Sequence, residues 1–325
     1  MEQIPIGANP DMTRVTAVLF SAAWAVGTLL LPAADAPRRP RILGDAHVAF
    51  YVSDLAKART FYKDFLGYAE PYALQKADGS DRIAFIKINE DQYLELFDEP
   101  AAHHDGQLNH ISFQTDDAEG MRVYLAFKGV KVPAKVGVGQ IKNLNFNIDD
   151  PDGHTVEIVQ YAADGWTRRE QGKFLPATRI ATRMMHFGAL VANLDSAVKF
   201  YHEILGFDEF WRGGSSPRVL SWVNMRVPDG KDYFEFMLYG EPPTDEQRGT
   251  RNHICLEVPD IVKAVAILES RKAMTGYTRV IEIKTGVNRK RQANLFDPDG
   301  TRVELMEPNT VDGKPAPSST APPPR

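Results

Sequence analysis

The sequence predicts an α+β protein made of four copies of one strand–helix–three-strand (βαβββ) module, paired into two domains with cup-shaped mixed sheets. Three observations predict it. HVAFYVSDLAKARTFYKDFLGY from His47 and HFGALVANLDSAVKFYHEILGF from His186 read alike, and the segments from Asn109 (NHISFQTDDAEGMRVYLAFKG) and Asn252 (NHICLEVPDIVKAVAILESRK) repeat the order. Each copy then closes on an apolar strand holding a glutamate at the matched position. A unit recurring at fixed spacing is the signature of a repeated fold element.

Each element has a local cause. After the opening strand, Ser53-Asp54 or Asn193-Leu194-Asp195 supplies the oxygen that caps a helix N-terminus. Leu55, Ala58, Phe61, Tyr62, Phe65 and Leu66 then recur at helical spacing, as do Leu194, Ala197, Phe200, Tyr201, Ile204 and Leu205. Gly67 and Gly206 stop the two helices. The closing strands are YLELF, TVEIVQY, YFEFMLY and RVELMEP. Two of them are entered by the same turn, Asp150-Pro151-Asp152-Gly153 and Asp297-Pro298-Asp299-Gly300, where proline presets φ and glycine takes the positive-φ position. The modules therefore fall near 46–98, 109–161, 185–240 and 252–308. They give one domain over 42–161, a linker over 162–182 and a second domain over 183–308.

The chain has 325 residues, enough for two cores, and a formal charge of -5, which argues against a nucleic-acid role. The basic run Arg289-Lys290-Arg291 reads as a solvated loop. A single cysteine, Cys255, excludes an intrachain disulfide framework and a multi-cysteine zinc site. Residues 1–36 read as a signal peptide or N-terminal anchor. Arg14 precedes the apolar run Val15–Leu31, and small residues follow it. Export to the periplasm or medium is the expectation, with a cytoplasmic location if that leader does not work. No other membrane association is expected. The Pro/Ser/Ala-rich tail, 309–325, reads as disordered.

Alternate strand side chains share a face. His47, His110, His186 and His253 thus oppose the apolar residues of their opening strands, and Glu95, Glu157, Glu235 and Glu304 oppose those of the closing strands. The apolar faces should pack under helices and leave each histidine and glutamate in the cup. Two His and two Glu suit a divalent first-row metal with positions left for substrate. Without a cation, paired carboxylates would repel and desolvate. Whether modules pair in sequence or across the chain is open at this stage.

The βαβββ repeat, the FYxxxLG(Y/F) helix ends, the NHI strand openings and the DPDGxxxE closings resemble the vicinal oxygen chelate (glyoxalase/dioxygenase) superfamily over residues 42–308. The resemblance implies two cups, each holding a divalent transition metal (Ni, Co, Mn, Zn or Fe(II)). One ligand group is His47, Glu95, His110 and Glu157; the other is His186, Glu235, His253 and Glu304. It also implies that Glu157 and Glu304 carry protons. The four-ligand sets are similar to glyoxalase-like lyases, isomerases and epimerases. Tyr51 and Glu99, and Leu190 and Tyr239, replace the residues expected to hold glutathione, so glutathione is not the expected substrate. An Fe(II) extradiol-type dioxygenase is the alternative, using His186, His253 and Glu304. Against it, Glu235 is a surplus ligand and Asn294 stands where a tyrosine is expected. A metal-independent binding protein is a third reading, with Tyr51, Tyr93, Phe97, Met237 and Tyr239 lining its cup. The partner is a small molecule, and the chain is expected as a monomer or homodimer. His103, His104, His154 and His202 read as exposed, and Cys255 as a buried, unreactive thiol.

Overall fold

The structure, a computed structural model, describes residues 36–99 and 106–324. The leader-like run and the pair His103 and His104 lie outside the described residues.

Module 1 comprises strands β1 (Ile42–Val52), β2 (Ala69–Gln75), β3 (Asp81–Lys87) and β4 (Tyr93–Asp98). Its helix α1 (Leu55–Arg59) continues as a π-helical turn over Thr60–Phe65. Module 2 holds β5 (Leu108–Thr115), α2 (Ala118–Phe127), β6 (Gly137–Val138), β7 (Leu144–Asp149) and β8 (Thr155–Gln160), followed by the short helix α3 (Trp166–Arg169). Module 3 repeats module 1: β9 (Met184–Val191), α4 (Leu194–Val198) with its π turn Lys199–Ile204, β10 (Asp208–Gly213), β11 (Trp222–Arg226) and β12 (Tyr233–Leu238). Helix α5 (Asp245–Arg251) leads into module 4: β13 (His253–Glu257), α6 (Ile261–Thr275), β14 (Ile283–Thr285), β15 (Lys290–Phe296) and β16 (Arg302–Thr310).

Consecutive modules pair, which settles the question the sequence leaves open. Modules 1 and 2 share one eight-stranded sheet, β2-β3-β4-β1-β5-β8-β7-β6, and modules 3 and 4 share β10-β11-β12-β9-β13-β16-β15-β14. The modules join through the antiparallel pairs β1–β5 and β9–β13, while β4, β8, β12 and β16 run parallel to their module's first strand. The helix caps are Asp54 and Asn193, each accepting from a backbone N–H three residues on. Gly67 and Gly206 both sit at φ +84, a conformation that strains any side chain.

The helices pack on their own modules and also bridge the two halves. Tyr62, from the π turn of module 1, donates its hydroxyl to Asp297 of module 4 at 3.2 Å. Tyr201 of module 3 donates to Asp150 of module 2 at 2.9 Å. Arg271 of α6 donates to the carbonyl of Phe65 at 2.8 Å, and Tyr277 stacks on Phe65 at 4.4 Å between centroids. One apolar core therefore runs through both halves, with Phe50, Phe65, Tyr62, Phe187, Tyr201 and Phe234 fully buried. Each such side chain contributes about 1.5–3 kcal/mol of burial.

Three expectations are corrected. The tail is not free: Val311, Ser319 and Leu220 make backbone bonds to or from it at 2.8–2.9 Å, and Trp211 donates its indole N–H to the Pro317 carbonyl. Edge strand β10 offers unpaired backbone groups there, and a proline-rich segment has little entropy to lose in accepting them. His154 is buried, not exposed, because Asp150 accepts its ring at 3.0 Å beneath the turn. The basic run is not a solvated loop: Lys290 and Arg291 open strand β15, where Arg291 pairs with Glu307 at 2.7 Å, and Arg289 in the turn before it pairs with Asp312.

Candidate metal centres

The four central strands of each sheet supply one candidate ligand apiece. In register, Glu95 on β4 lies opposite Ala49 of β1, and Ala49 lies opposite His110 of β5. Ser112 sits between His47 and Glu157. The pleat puts Glu95, His47, His110 and Glu157 on one concave face, while Val48, Phe50 and Val52 enter the shared core on the other. Glu235, His186, His253 and Glu304 occupy the same places on β12, β9, β13 and β16. All eight predicted ligands are thus brought together in two sets of four.

In the N-terminal cup the His47 and His110 Nε2 atoms are 2.9 Å apart. Glu157 Oε2 lies 2.7 Å from His47 and 3.5 Å from His110, and the Glu95 oxygens lie 3.7 and 3.9 Å from them. In the C-terminal cup the two Nε2 atoms are 3.2 Å apart, and Glu235 and Glu304 lie 3.5–3.9 Å from them. Two atoms each about 2.1 Å from one ion can be at most about 4.2 Å apart. Each imidazole–imidazole and imidazole–carboxylate pair above meets that limit, so the histidines of each cup with Glu157 or Glu304 fit a divalent cation, while Glu95 and Glu235 flank them. His47–His110–Glu157 and His186–His253–Glu304 form the tighter triads.

Neighbours orient these side chains. His110 Nδ1 meets Asn109 Oδ1 at 2.8 Å, and His253 Nδ1 donates to the Arg251 carbonyl at 2.6 Å, which fixes each Nε2 toward the cup. Tyr93 stacks on His47 at 4.5 Å and Tyr233 on His186 at 4.4 Å. The Asn145 amide donates to Glu157.

The carboxylates in each cup diverge. Burial pushes the Glu95 carboxyl up, against the pull of His47 and His110. Burial works on Glu157 in the same sense, but the charges and hydrogen bonds of His47 and His110 hold it well below the usual range. In the C-terminal cup, burial and then Glu304 raise Glu235 to about 8. Glu304 resists burial through its hydrogen bond from His253 and the charge of Arg302, and falls to about 2. Burial, followed by His253, pushes the His186 imidazole well below its ordinary value.

The cups differ in access. A cavity of ≈ 520 Å³ opens on the N-terminal one, lined by Glu95, His110 and Glu157 and walled by Ile83, Phe85 and Phe97. The other leaves ≈ 70 Å³ between Trp211, Trp222, Val287, Met306 and Arg302. Tyr93 and Phe97 line the larger cavity, and Tyr51 packs edge-on to Phe97 at 6.1 Å. His202 is half exposed on its helix, bound to the Phe207 carbonyl at 2.6 Å. Cys255 is fully buried beside Met185, Tyr233 and Met306, and burial raises its thiol well above the usual value. Sequence reasoning missed Asn145, Arg82 and Arg302. Alternation from Glu304 could have found Arg302.

A model of the glyoxalase/bleomycin resistance protein/dioxygenase superfamily matches residues 46–158 and 183–305. The chain belongs to that superfamily. Solved members share the vicinal oxygen chelate fold with it. The 2,3-dioxygenase LapB from Pseudomonas sp. KL28 is 16% identical, with a TM-score of 0.61 over 86% of this chain and 97% of that one. An extradiol ring-cleaving dioxygenase from B. fuscum is 20% identical, with a TM-score of 0.64 over 89% of this chain and 78% of that one. A variant of homoprotocatechuate 2,3-dioxygenase from Brevibacterium fuscum is likewise 20% identical, with a TM-score of 0.63. No curated protein matches the sequence. Among the described residues, no helix of this superfamily member is long and apolar enough to cross a membrane.

Proposed function

We propose that the protein is a divalent-metal-dependent enzyme of the vicinal oxygen chelate superfamily, moving protons on a small molecule through lyase, isomerase or epimerase chemistry without glutathione. The observation that carries this reading is the second carboxylate in the N-terminal cup, Glu95, within 3.9 Å of both imidazoles. With His47, His110 and Glu157 as its ligands an ion would keep positions open for adjacent substrate oxygens, and Glu95 stands beside them as a second carboxylate able to carry a proton. A bound divalent ion would supply Lewis acidity to those oxygens, acidifying the neighbouring C–H.

His47, His110 and Glu157 would hold the ion, with Asn109 and Asn145 fixing His110 and Glu157. The sequence points to Glu157 as the proton carrier, and Glu304 in the other cup. The contacts favour Glu95 in the open cup instead. Glu157 is tied by Asn145 and approaches His47 to 2.7 Å, whereas Glu95 stays 3.7 Å or more from either imidazole and lines the cavity. A carboxylate that takes a proton must be free to turn toward substrate. Phe85, Phe97 and Ile83 would keep bulk water from the reacting carbon. The C-terminal cup, with ≈ 70 Å³ of space, reads as a closed companion site.

A second reading, extradiol-type ring cleavage, is favoured by the two-histidine, one-carboxylate triads and the shared fold. Export is proposed on the leader-like run alone. The deciding experiment loads the full chain anaerobically with Ni(II), Co(II), Mn(II) or Fe(II) and follows 2-hydroxy- and 2-oxo-acids in D2O by NMR. Solvent deuterium appearing beside the carbonyl without oxygen supports proton transfer, and its loss in Glu95→Gln with metal retained assigns the carrier. Oxygen consumption with catechols and no exchange would overturn the first reading in favour of the second.

A further inference from the structure

The N-terminal cavity is built for more than chelation. Two cations open onto it, Arg82 from β3 and Lys135 from the loop between α2 and β6. Among the described residues neither makes an ion pair or a side-chain hydrogen bond. Other half-buried arginines are engaged by protein groups, as Arg59 is by Glu70 and Asp81, Arg183 by Asp232 and Glu257, and Arg271 by the Phe65 and Thr178 carbonyls.

Arg82 reaches the cavity through an irregularity in the sheet. Strict alternation along β3 would place it with Ala84 and Ile86, on the face that enters the shared core. Pairing with β2 slips at this point: Leu74 lies opposite Ile83 and Gln75 opposite Asp81, so Arg82 has no partner. A β-bulge re-aims the extra side chain, and Arg82 lines the cavity beside Ile83.

The charges then favour an anion. With neutral imidazoles, Glu95 and Glu157 balance a divalent ion, so the metal centre offers no net positive charge. Arg82 and Lys135 remain, above apolar walls of Leu74, Ile83, Phe85 and Phe97. An unpaired guanidinium at the mouth of an apolar cavity is a preformed fork for a carboxylate.

We propose that Arg82 and Lys135 select an organic acid: a molecule that chelates through adjacent oxygens at the cup floor and carries a separate carboxylate to the rim across an apolar body. This rests on the metal reading above, and the test separates the two. Zinc-loaded full-length protein is titrated calorimetrically with catechol and with 3,4-dihydroxybenzoate, which share chelating oxygens and differ by one carboxylate. The acid is expected to bind at least tenfold tighter. The preference should vanish in Arg82→Gln/Lys135→Gln and persist in Arg82→Lys, with catechol affinity and zinc content unchanged throughout. Equal affinities in the wild type, a preference surviving the double substitution, or no binding of either compound to zinc-retaining protein overturns the assignment and leaves the metal centre standing. Failure to retain zinc removes both.

Discussion

Replacing Asp297 by asparagine should make the protein more stable at pH 8 and change it less at pH 5. Asp297 lies beneath the second DPDG turn, where its carboxylate accepts backbone N–H groups of Asp299 and Thr301 and the Tyr62 hydroxyl. Burial raises it from 3.8 to about 7, with Asp299 adding repulsion, against the hydrogen bonds that favour the anion. A carboxyl whose folded pKa exceeds its unfolded one binds its proton more tightly when folded. Its penalty is absent below the unfolded value and grows as pH rises from about 4 to about 7. Linkage puts the cost at about 4 kcal/mol at pH 8 and about 2 kcal/mol at pH 5. Asparagine keeps the acceptor oxygen without the charge, so Asp297→Asn should recover that difference as an upper bound. Its counterpart Asp150 supplies the control. There burial is outweighed by His154, whose hydrogen bond and charge hold the carboxyl below its ordinary value. Asp150→Asn should therefore destabilise at neutral pH. Urea unfolding of the full chain at pH 5 and pH 8 reads all three proteins. Equal losses for both substitutions at pH 8 would refute the argument that the buried charge, and not the turn's hydrogen bonding, sets the sign.

Other outcomes follow from the cups. His110→Ala should remove at least tenfold of the N-terminal cup's metal affinity, by elemental analysis after dialysis, while His202→Ala should leave metal content unchanged; equal effects would refute the assignment of the strand faces. Gly188→Ala should disturb the C-terminal cup alone, since the new methyl would lie 2.1 Å from His253 Cε1. Ala49 already carries that carbon opposite His110, so zinc titrations of Gly188→Ala should lose one class of site and keep the other. Deleting residues 311–325 should uncover Trp211, now 8% exposed, giving a red-shifted indole emission and a loss of about 1–3 kcal/mol in urea. An unchanged spectrum would mean the tail does not seat there in solution.

Much was settled by the sequence alone, because repetition and alternation are local signals. The four modules, the Asp54 and Asn193 caps, the Gly67 and Gly206 stops and the common face of every His and Glu follow from backbone periods of 3.6 and 2. Pairing could not be read, since any two modules present the same edge pattern; antiparallel β1–β5 and β9–β13 contacts between distant residues decide it. The same holds for His154, drawn under its turn by Asp150, which Tyr201 also holds, and for the tail, which composition leaves free but edge strand β10 captures. The inequality of the two cups is tertiary as well: their ligands match, yet Trp211 and Trp222 fill one while a bulge at Arg82 opens charge onto the other. Ligand identity is written residue by residue, whereas the space around the ligands depends on what distant strands bring beside them.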